Sequence, residues 1–565
     1  MKPLTQSCLV RASYIGYLLL TVSTYYCVIA GLCPEQTPVF FSSMQMTAIG
    51  QFSMLSETPW NPSLVAVAIT LKGYAPYTVQ DFVRQWRARN MAERHPRFTW
   101  TVRDGSFDTV NGSSTRFTLP ISEGLAPPQP SSSSPHSVRK DILGRIANMQ
   151  FTMLDLTQSL WRAQVIPVIR SAIDFADRAI GTTNTTGSDG GDGDGGGRSD
   201  RKDGTITRSM LLFTSHHALA DGVSLAAALA DMADEADDIR ETVRAAMVQR
   251  KIQRKSQSLW QRLVKLLSWG VWFLWGSMIA WFHQVQLLLL SWLWDRNPWI
   301  ALHKLVSPEE PSRTVSLTRA GSLEEAKWTA DVLSRKTKSK ITVNDVFVAA
   351  ITGAVARQLQ HHRRVLEAKQ PIDDLDGHTV KRHLLAKQEH MTVVVPVHLS
   401  GGFLLPNQSV GNNIGAFCAR VPGESDRLTP EQRLARVHRS LRTIKNTPAP
   451  YLSHWVAKAS SKILPASWAS YLYRRANAGA TVVITNVRGY PKAMHYRGRE
   501  VESVYGFIPI PPGIPIGVVV QSYNGRMTLS LTAESWAVPD GDQFMAWALE
   551  EYMALVEETR SVAGV

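Results

Sequence analysis

The chain has 565 residues, 44% of them apolar, and 61 Lys and Arg against 47 Asp and Glu give a formal net charge of +14. That length is too great for one ordinary domain and supplies enough apolar residues for more than one core. The basic excess suits nucleic acid, anionic lipid or a phosphate-bearing small molecule, but no Cys/His metal spacing or aromatic RNA-binding signature accompanies it, so neither nucleic acid nor a bound metal is expected.

Residues 12–34, "ASYIGYLLLTVSTYYCVIAGLCP", lack any charge and follow Lys2 and Arg11, which reads as a signal anchor or a long signal peptide within residues 1–34. Cys8, Cys27 and Cys33 fall in or beside it and only Cys418 in the remaining body, so no disulfide framework is expected. From 35 to about 180, strand-like "LVAVAITL" and helix-like "VQDFVRQWRARNMAERH" alternate around a Pro/Ser loop at 126–137. The run 181–204, "GTTNTTGSDGGDGDGGGRSDRKDG", has almost nothing to bury and reads as a disordered insertion. "TITRSMLLFTS" then reads as a strand, and Asp221-Gly222 opens a helix through about Met247, with Asp221 as N-cap. These segments make a first domain, 35–247.

Residues 248–310 form a basic, Trp-rich linker. Its centre, 266–294, has no Lys, Arg, Asp or Glu, while Lys251, Arg254, Lys255, Arg262 and Lys265 precede it and Arg296 follows. It reads as a membrane-associated segment or, alternatively, as a buried helix between domains. Two simple spans, here and at 12–34, would place the two halves of the body on opposite sides of the bilayer. A re-entrant or interfacial element with a bend at Gly276-Ser277 is therefore favoured. Residues 311–565 alternate strand and helix again, with a helix at "SLEEAKWTADVLSRK", another from Asn344 or Asp345, and strands at "MTVVVPVHL", "TVVITNV", "IGVVVQSYN" and "RMTLSLTAE". Two α/β halves suggest a site between them.

The candidate chemistry lies in "SHHALADG", residues 215–222. Histidine serves most easily as a base near neutral pH, and it must be held in one tautomer and one rotamer to help a transition state. A strand on one side of the pair and a capped helix on the other would hold it.

"HHALADG" resembles the HHxxxDG signature of the CoA-dependent acyltransferase superfamily. "SLWRAQVI" (159–166), "VNDVFVAAITGAVARQL" (343–359), "VGNNIGAF" (410–417), "TNVRGYP" (485–491) and "VVVQSYNGRMTLSLTAE" (518–534) are similar, in order, to blocks of its wax ester synthase/diacylglycerol acyltransferase family. The resemblance covers most of residues 40–560. It implies a layered α/β fold of two chloramphenicol-acetyltransferase-like domains with a tunnel between them.

It also implies a membrane-associated O-acyltransferase that moves a long-chain acyl group from acyl-CoA to a fatty alcohol or diacylglycerol. Its products would be wax esters, triacylglycerol or both, with acyl-CoA as co-substrate and no bound cofactor. Matched position by position, His217 is the general base, His216 supports it, and Asp221 and Gly222 are structural. Asn344, Thr485 and Asn486 are candidate oxyanion or substrate contacts; Asn344 is equally a helix N-cap and Asn486 a turn residue. Gly411 and Gly415 would permit a tight backbone path. Another acceptor, such as a sterol or specialised metabolite, and a non-catalytic lipid-binding protein of the same fold are the competing readings. A place at the endoplasmic reticulum or a lipid droplet, with the site facing the cytosol, follows from the substrates. The chain departs from the family pattern at "NVRGYP", where Arg488 stands for an expected proline, and in "FFSSMQMTAIGQFSML" (40–55), where an early Asp is missing.

Overall fold

The structure, a computed structural model, describes residues 46–564 except 104–105, 109–118, 125–134, 168–206, 256–257, 295–296, 298, 300–301, 304–311, 370–389, 400–409 and 424–427. The N-terminal apolar segment and the glycine-rich run lie outside the described residues.

Apolar runs of eight to ten residues, buried on both faces, become the central strands. The strands are β1 (Leu64–Gly73), β2 (Thr101–Arg103), β3 (Ser106–Asp108), β4 (Ile121–Glu123), β5 (Trp161–Ile166), β6 (Thr207–His216), β7 (Arg313–Ser322), β8 (His390–His398), β9 (Ile414–Pro422), β10 (Val482–Arg488), β11 (His495–Tyr496), β12 (Arg499–Phe507), β13 (Ile516–Tyr523) and β14 (Arg526–Glu534). The helices are α1 (Ala48–Ser56), α2 (Val79–Ala88), α3 (Met91–Arg94), α4 (Pro135–Phe151), α5 (Gly222–Asp231), α6 (Ala236–Lys255), α7 (Leu259–Trp294), α8 (Leu323–Thr337), α9 (Val343–Lys369), α10 (Pro430–Lys445), α11 (Ala449–Ile463), α12 (Ala466–Asn477) and α13 (Gly541–Ala563). Among the described residues, two six-stranded sheets carry this mixed α/β fold, in the orders β11-β12-β1-β6-β5-β4 and β7-β14-β13-β10-β8-β9.

The sheets do not respect a division of the chain at residue 311. β11 and β12, from the C-terminal half, complete the first sheet, and β12 runs antiparallel to β1 with Ala66 opposite Phe507. β12 supplies apolar side chains to both faces. Val501 and Val504 enter the core under β1 and β6, while Tyr505 and Phe507 join Ile142 and Ile146 of α4 and Val315 and Leu317 of β7. That second cluster ties the two sheets together, and each aliphatic side chain it buries contributes about 1.5–3 kcal/mol. Beside it, the buried guanidinium of Arg139 makes a bidentate pair with Asp542 at 2.7 and 2.8 Å.

The single helix expected from Gly222 to Met247 is two helices, α5 and α6. The break falls where Asp234 leaves the helix to serve the β11–β12 hairpin: its carboxylate accepts the N–H groups of Arg497 and Gly498 at 3.1 and 2.7 Å. The adjacent Glu235 binds the His495 ring at 2.6 Å. Asn344 is not a helix cap. Thr342 and Asp345 cap α9 reciprocally, at 3.4 and 3.0 Å.

Residues 266–294 belong to a 36-residue helix, α7, whose helical hydrogen bonding continues through Gly276-Ser277. No helix among the described residues is long and apolar enough to cross a membrane. Gly276 serves close packing instead, because a Cβ there would lie 2.7 Å from Pro448 Cδ.

Candidate active site

β6 is paired on both sides, to β1 and to β5, up to its last residues: His216 lies opposite Leu64 and Ser215 opposite Trp161. The backbone beyond is also fixed, since His217 N–H donates to Ser63 O at 2.8 Å and Leu219 N–H to His216 O at 3.0 Å. The histidine pair therefore leaves a rigid strand end through a tight turn into α5.

His216 is fully buried. Its Nδ1 accepts the Ala218 N–H at 3.0 Å, which leaves the ring proton on Nε2, facing Glu57 Oε2 at 3.3 Å. Glu57 Oε1 accepts the Ser63 N–H at 3.1 Å, so one carboxylate braces the imidazole and the residue whose carbonyl holds His217. Glu57→Ala leaves two buried donors unpaired and is expected to lower the unfolding free energy by about 1–3 kcal/mol, read from urea denaturation.

Asp221 joins the two halves of the molecule. Oδ1 caps α5 by accepting the Ser224 N–H at 2.8 Å, and Oδ2 accepts the Asn413 N–H at 2.8 Å. Its own N–H donates to Gly411 O at 3.0 Å. Asn412 Nδ2 donates to the carbonyls of His217 and Ala218, at 2.6 and 3.3 Å. The 411–413 segment thus clamps the histidine loop from the other half. Behind it, the Arg97 guanidinium lies over the packed rings of Trp100 and Phe107, 5.7 and 5.4 Å from their centroids. Burial lowers the Arg97 guanidinium from its ordinary range, and the charge of Asp221 opposes that shift. His398 Nε2 lies 3.7 Å from Asp221 Oδ2. Gly415 continues the clamp past α11, where a Cβ would stand 1.9 Å from Pro450 O and no larger residue fits.

His217 is held differently. Its backbone is pinned, while its half-buried ring borders a cavity of about 1460 Å³ and its Nδ1 has no hydrogen-bond partner among the other described residues. Burial, with a smaller contribution from neighbouring His216, holds its pKa below the ordinary imidazole value, and Asp221 only partly offsets this. At neutral pH the ring is uncharged and able to accept a proton.

The same cavity is bordered by Gly222, Asn344, Thr485 and Asn486. Asn344 stands in the first turn of α9, and Thr485 and Asn486 stand in β10, opposite Val519 and Val520 of the parallel β13. Asn486 is therefore a strand residue, not a turn residue. None of the three side chains forms a hydrogen bond with another described residue, so each is available to a ligand. The departure at "NVRGYP" does not unhook this strand: Arg488 stays paired opposite Ser522, and Gly489 N–H donates to Ser522 O at 2.8 Å. Among the described residues no group of His, Cys, Asp and Glu could hold a metal ion.

Glu57, Arg97, Asn412 and His398 were not singled out from sequence. Asn412 lies inside the "VGNNIGAF" block and Glu57 two residues beyond "FFSSMQMTAIGQFSML", but Arg97 and His398 stand in no recognisable motif.

Residues 410–555, which include this clamp and β10, match the family model described as the WS/DGAT C-terminal domain. A protein named a probable diacylglycerol O-acyltransferase, from Mycobacterium tuberculosis, is 25% identical over 228 residues, and a Mycobacterium bovis protein named for the same activity matches equally. The match takes in 40% of this chain and covers only 44% of the length of each relative. Among solved structures, the wax ester synthase/diacylglycerol acyltransferase from Marinobacter aquaeolei is 14% identical, with a TM-score of 0.49 over 92% of this chain and all of that one. Trichothecene 15-O-acetyltransferase from Fusarium sporotrichioides is 12% identical, with a TM-score of 0.49 over 91% of this chain and 95% of that one. Through residues 410–555, which hold the loop of His216 and His217 in place, the chain is similar to the wax ester synthase/diacylglycerol acyltransferase family.

Proposed function

We propose that the protein is an acyl-CoA-dependent O-acyltransferase that esterifies a lipid alcohol, a fatty alcohol or diacylglycerol, with a long-chain acyl group. The observation that carries this reading is His217, an uncharged imidazole held at a rigid strand end and bordering a large cavity. His217 removes the hydroxyl proton as the alcohol oxygen attacks the thioester carbonyl. The tetrahedral intermediate collapses, the C–S bond breaks, and the histidinium returns the proton to the departing CoA thiolate. No acyl-enzyme forms and no bound cofactor takes part.

Developing negative charge on the carbonyl oxygen needs donors aimed at it. Asn344, Thr485 and Asn486 are the side chains assigned to that task or to substrate contact, while Gly222, at the start of α5, belongs to the structural turn. His216 supports His217 through Glu57, and Asp221 fixes the loop without touching substrate. Long apolar chains suit the cavity wall formed by Trp281, Val285, Leu452, Val456 and Leu472. Substrates of this kind partition into lipid, so we place the protein at a lipid surface, that of the endoplasmic reticulum or a lipid droplet, with the site on the cytosolic side that holds acyl-CoA.

The test is product analysis. Purified protein is incubated with labelled long-chain acyl-CoA and, separately, hexadecanol, diacylglycerol, a sterol and a short soluble alcohol. Labelled wax ester or triacylglycerol is the expected product. Ester with the sterol alone would transfer the mechanism to another acceptor class, and no ester with any alcohol would leave a lipid-binding protein of the same fold.

A further inference from the structure

The outer face of α7 is a stripe of large apolar side chains in the open. Trp260, Leu267, Val271, Trp275, Met278 and Phe282 recur at helical spacing, and each is more than half exposed. They run for about 33 Å at the α-helical rise. The opposite face is packed: Gly276, Ser277 and Ala280 are buried, and Trp272 Nε1 donates to Asn446 O at 2.7 Å. The stripe therefore belongs to a helix fastened to the body, yet among the described residues its apolar side is left exposed.

Two more helices extend the surface. α11 packs on α7 and α12 packs on α11, and at their junction Ile463, Trp468 and Tyr471 are 63, 50 and 50% exposed. The other sides of these helices border the cavity, through Trp281 of α7, Val456 of α11 and Leu472 of α12. One layer of helix separates the exposed apolar surface from the cavity, and both of its sides are apolar.

We propose that α7, α11 and α12 form the docking face of this protein for an anionic lipid surface, through which a long-chain acceptor reaches the cavity from the side. This rests on the acyltransferase reading for its last step only. Charge favours lipid as the occupant over a protein partner. The three helices contain Arg262, Lys265, Lys458, Lys462, Arg474 and Arg475 and no Asp or Glu, and the Lys458 ammonium lies 5.4 Å from the ring centroid of Trp455. Tryptophan and tyrosine around an aliphatic stripe match the boundary between headgroups and chains, where an amphipathic helix lies in the plane of the surface. A patch of this size left bare on a monomer marks an interaction surface.

The test uses the full chain and vesicles of phosphatidylcholine with or without phosphatidylserine, read by flotation. The wild type is expected to float with the phosphatidylserine vesicles and more weakly with the neutral ones. The triple variant Val271→Glu, Trp275→Glu, Met278→Glu, none of whose positions borders the cavity, is expected to lose roughly tenfold or more in binding, as apolar burial and charge attraction both fail. Its circular dichroism and its rate with a short soluble alcohol are expected to match wild type, while its rate with acceptor presented in vesicles falls. Wild-type binding by the variant would overturn the proposal, as would a wild type that ignores vesicles but dimerises through this face, shown by a variant that becomes monomeric. Should the wild type make no ester with any alcohol, the acyltransferase reading fails while flotation still decides the docking face.

Discussion

Replacing His217 by Ala is expected to lower kcat for ester formation by about 10²–10⁴-fold, the usual contribution of a positioned general base. KM for acyl-CoA is expected to change much less, since the ring serves the proton transfer and not the thioester's binding. Stability should be nearly unaffected. The ring makes no hydrogen bond to another described residue and its outer side borders the cavity, so its removal opens no buried polar group. A fall in kcat with an unchanged unfolding midpoint is the signature of a chemical role. A fall in both would mean that the loop had collapsed, and equal rates would remove His217 from the chemistry.

Asp221→Ala is expected to act in the opposite proportion, with its main effect on stability. The change removes the cap of α5, worth about 0.5–2 kcal/mol. It also strips the Asn413 N–H of its acceptor and leaves the buried Arg97 guanidinium without the nearby charge that offsets its desolvation. Arg97 and Asp221 are not in direct contact, so this electrostatic loss stays below the roughly 3–5 kcal/mol of breaking a buried ion pair. Denaturant unfolding measures the loss. Asp221→Asn keeps an Oδ1 acceptor for Ser224 and should recover the capping part only, which separates helix capping from the electrostatic role. Activity falls in both variants because His217 is no longer held at one place.

The parts of this arrangement legible in the sequence are those in which neighbours along the chain do the work. "TITRSMLLFTS" carried the apolar run Met210 to Phe213 and became a strand paired on both sides, and Asp221 stood where a helix cap belongs. The clamp was half legible: "VGNNIGAF" marked the segment, but nothing local said that Asn412 would reach the carbonyl of His217, 195 residues earlier. Glu57 was missed because its tie to His216 spans 159 residues and its carboxylate stands outside any motif. The break between α5 and α6 was hidden for a similar reason. "LADMADEADDI" has no Gly or Pro to mark a stop, and its Asp residues show no break until the distant β11–β12 hairpin takes the carboxylates of Asp234 and Glu235. The placement of β12 in the first sheet was not legible, since strand pattern does not tell which sheet a strand joins.

α7 carries a different lesson. A charge-free stretch with many tryptophans suggested a membrane element, and the sequence contained the reason for a helix packed on the body as well. Gly276, Ser277 and Ala280 are small residues at helical spacing, which let a helix approach its neighbour, and the larger apolar residues fall on the far side.

The role of His217 as an uncharged base is decided by the pH dependence of kcat/KM for ester formation by the wild-type protein with acyl-CoA and a lipid alcohol. Burial and His216 favour the neutral form of His217, so the base is free above its lowered pKa and is lost only as the pH falls through it. A flat rate from pH 7 to 8 is expected, with a single acid limb whose midpoint lies below about 6.5, the ordinary imidazole value. A rate that rises with acidity, or an acid limb centred above 6.5, would contradict it.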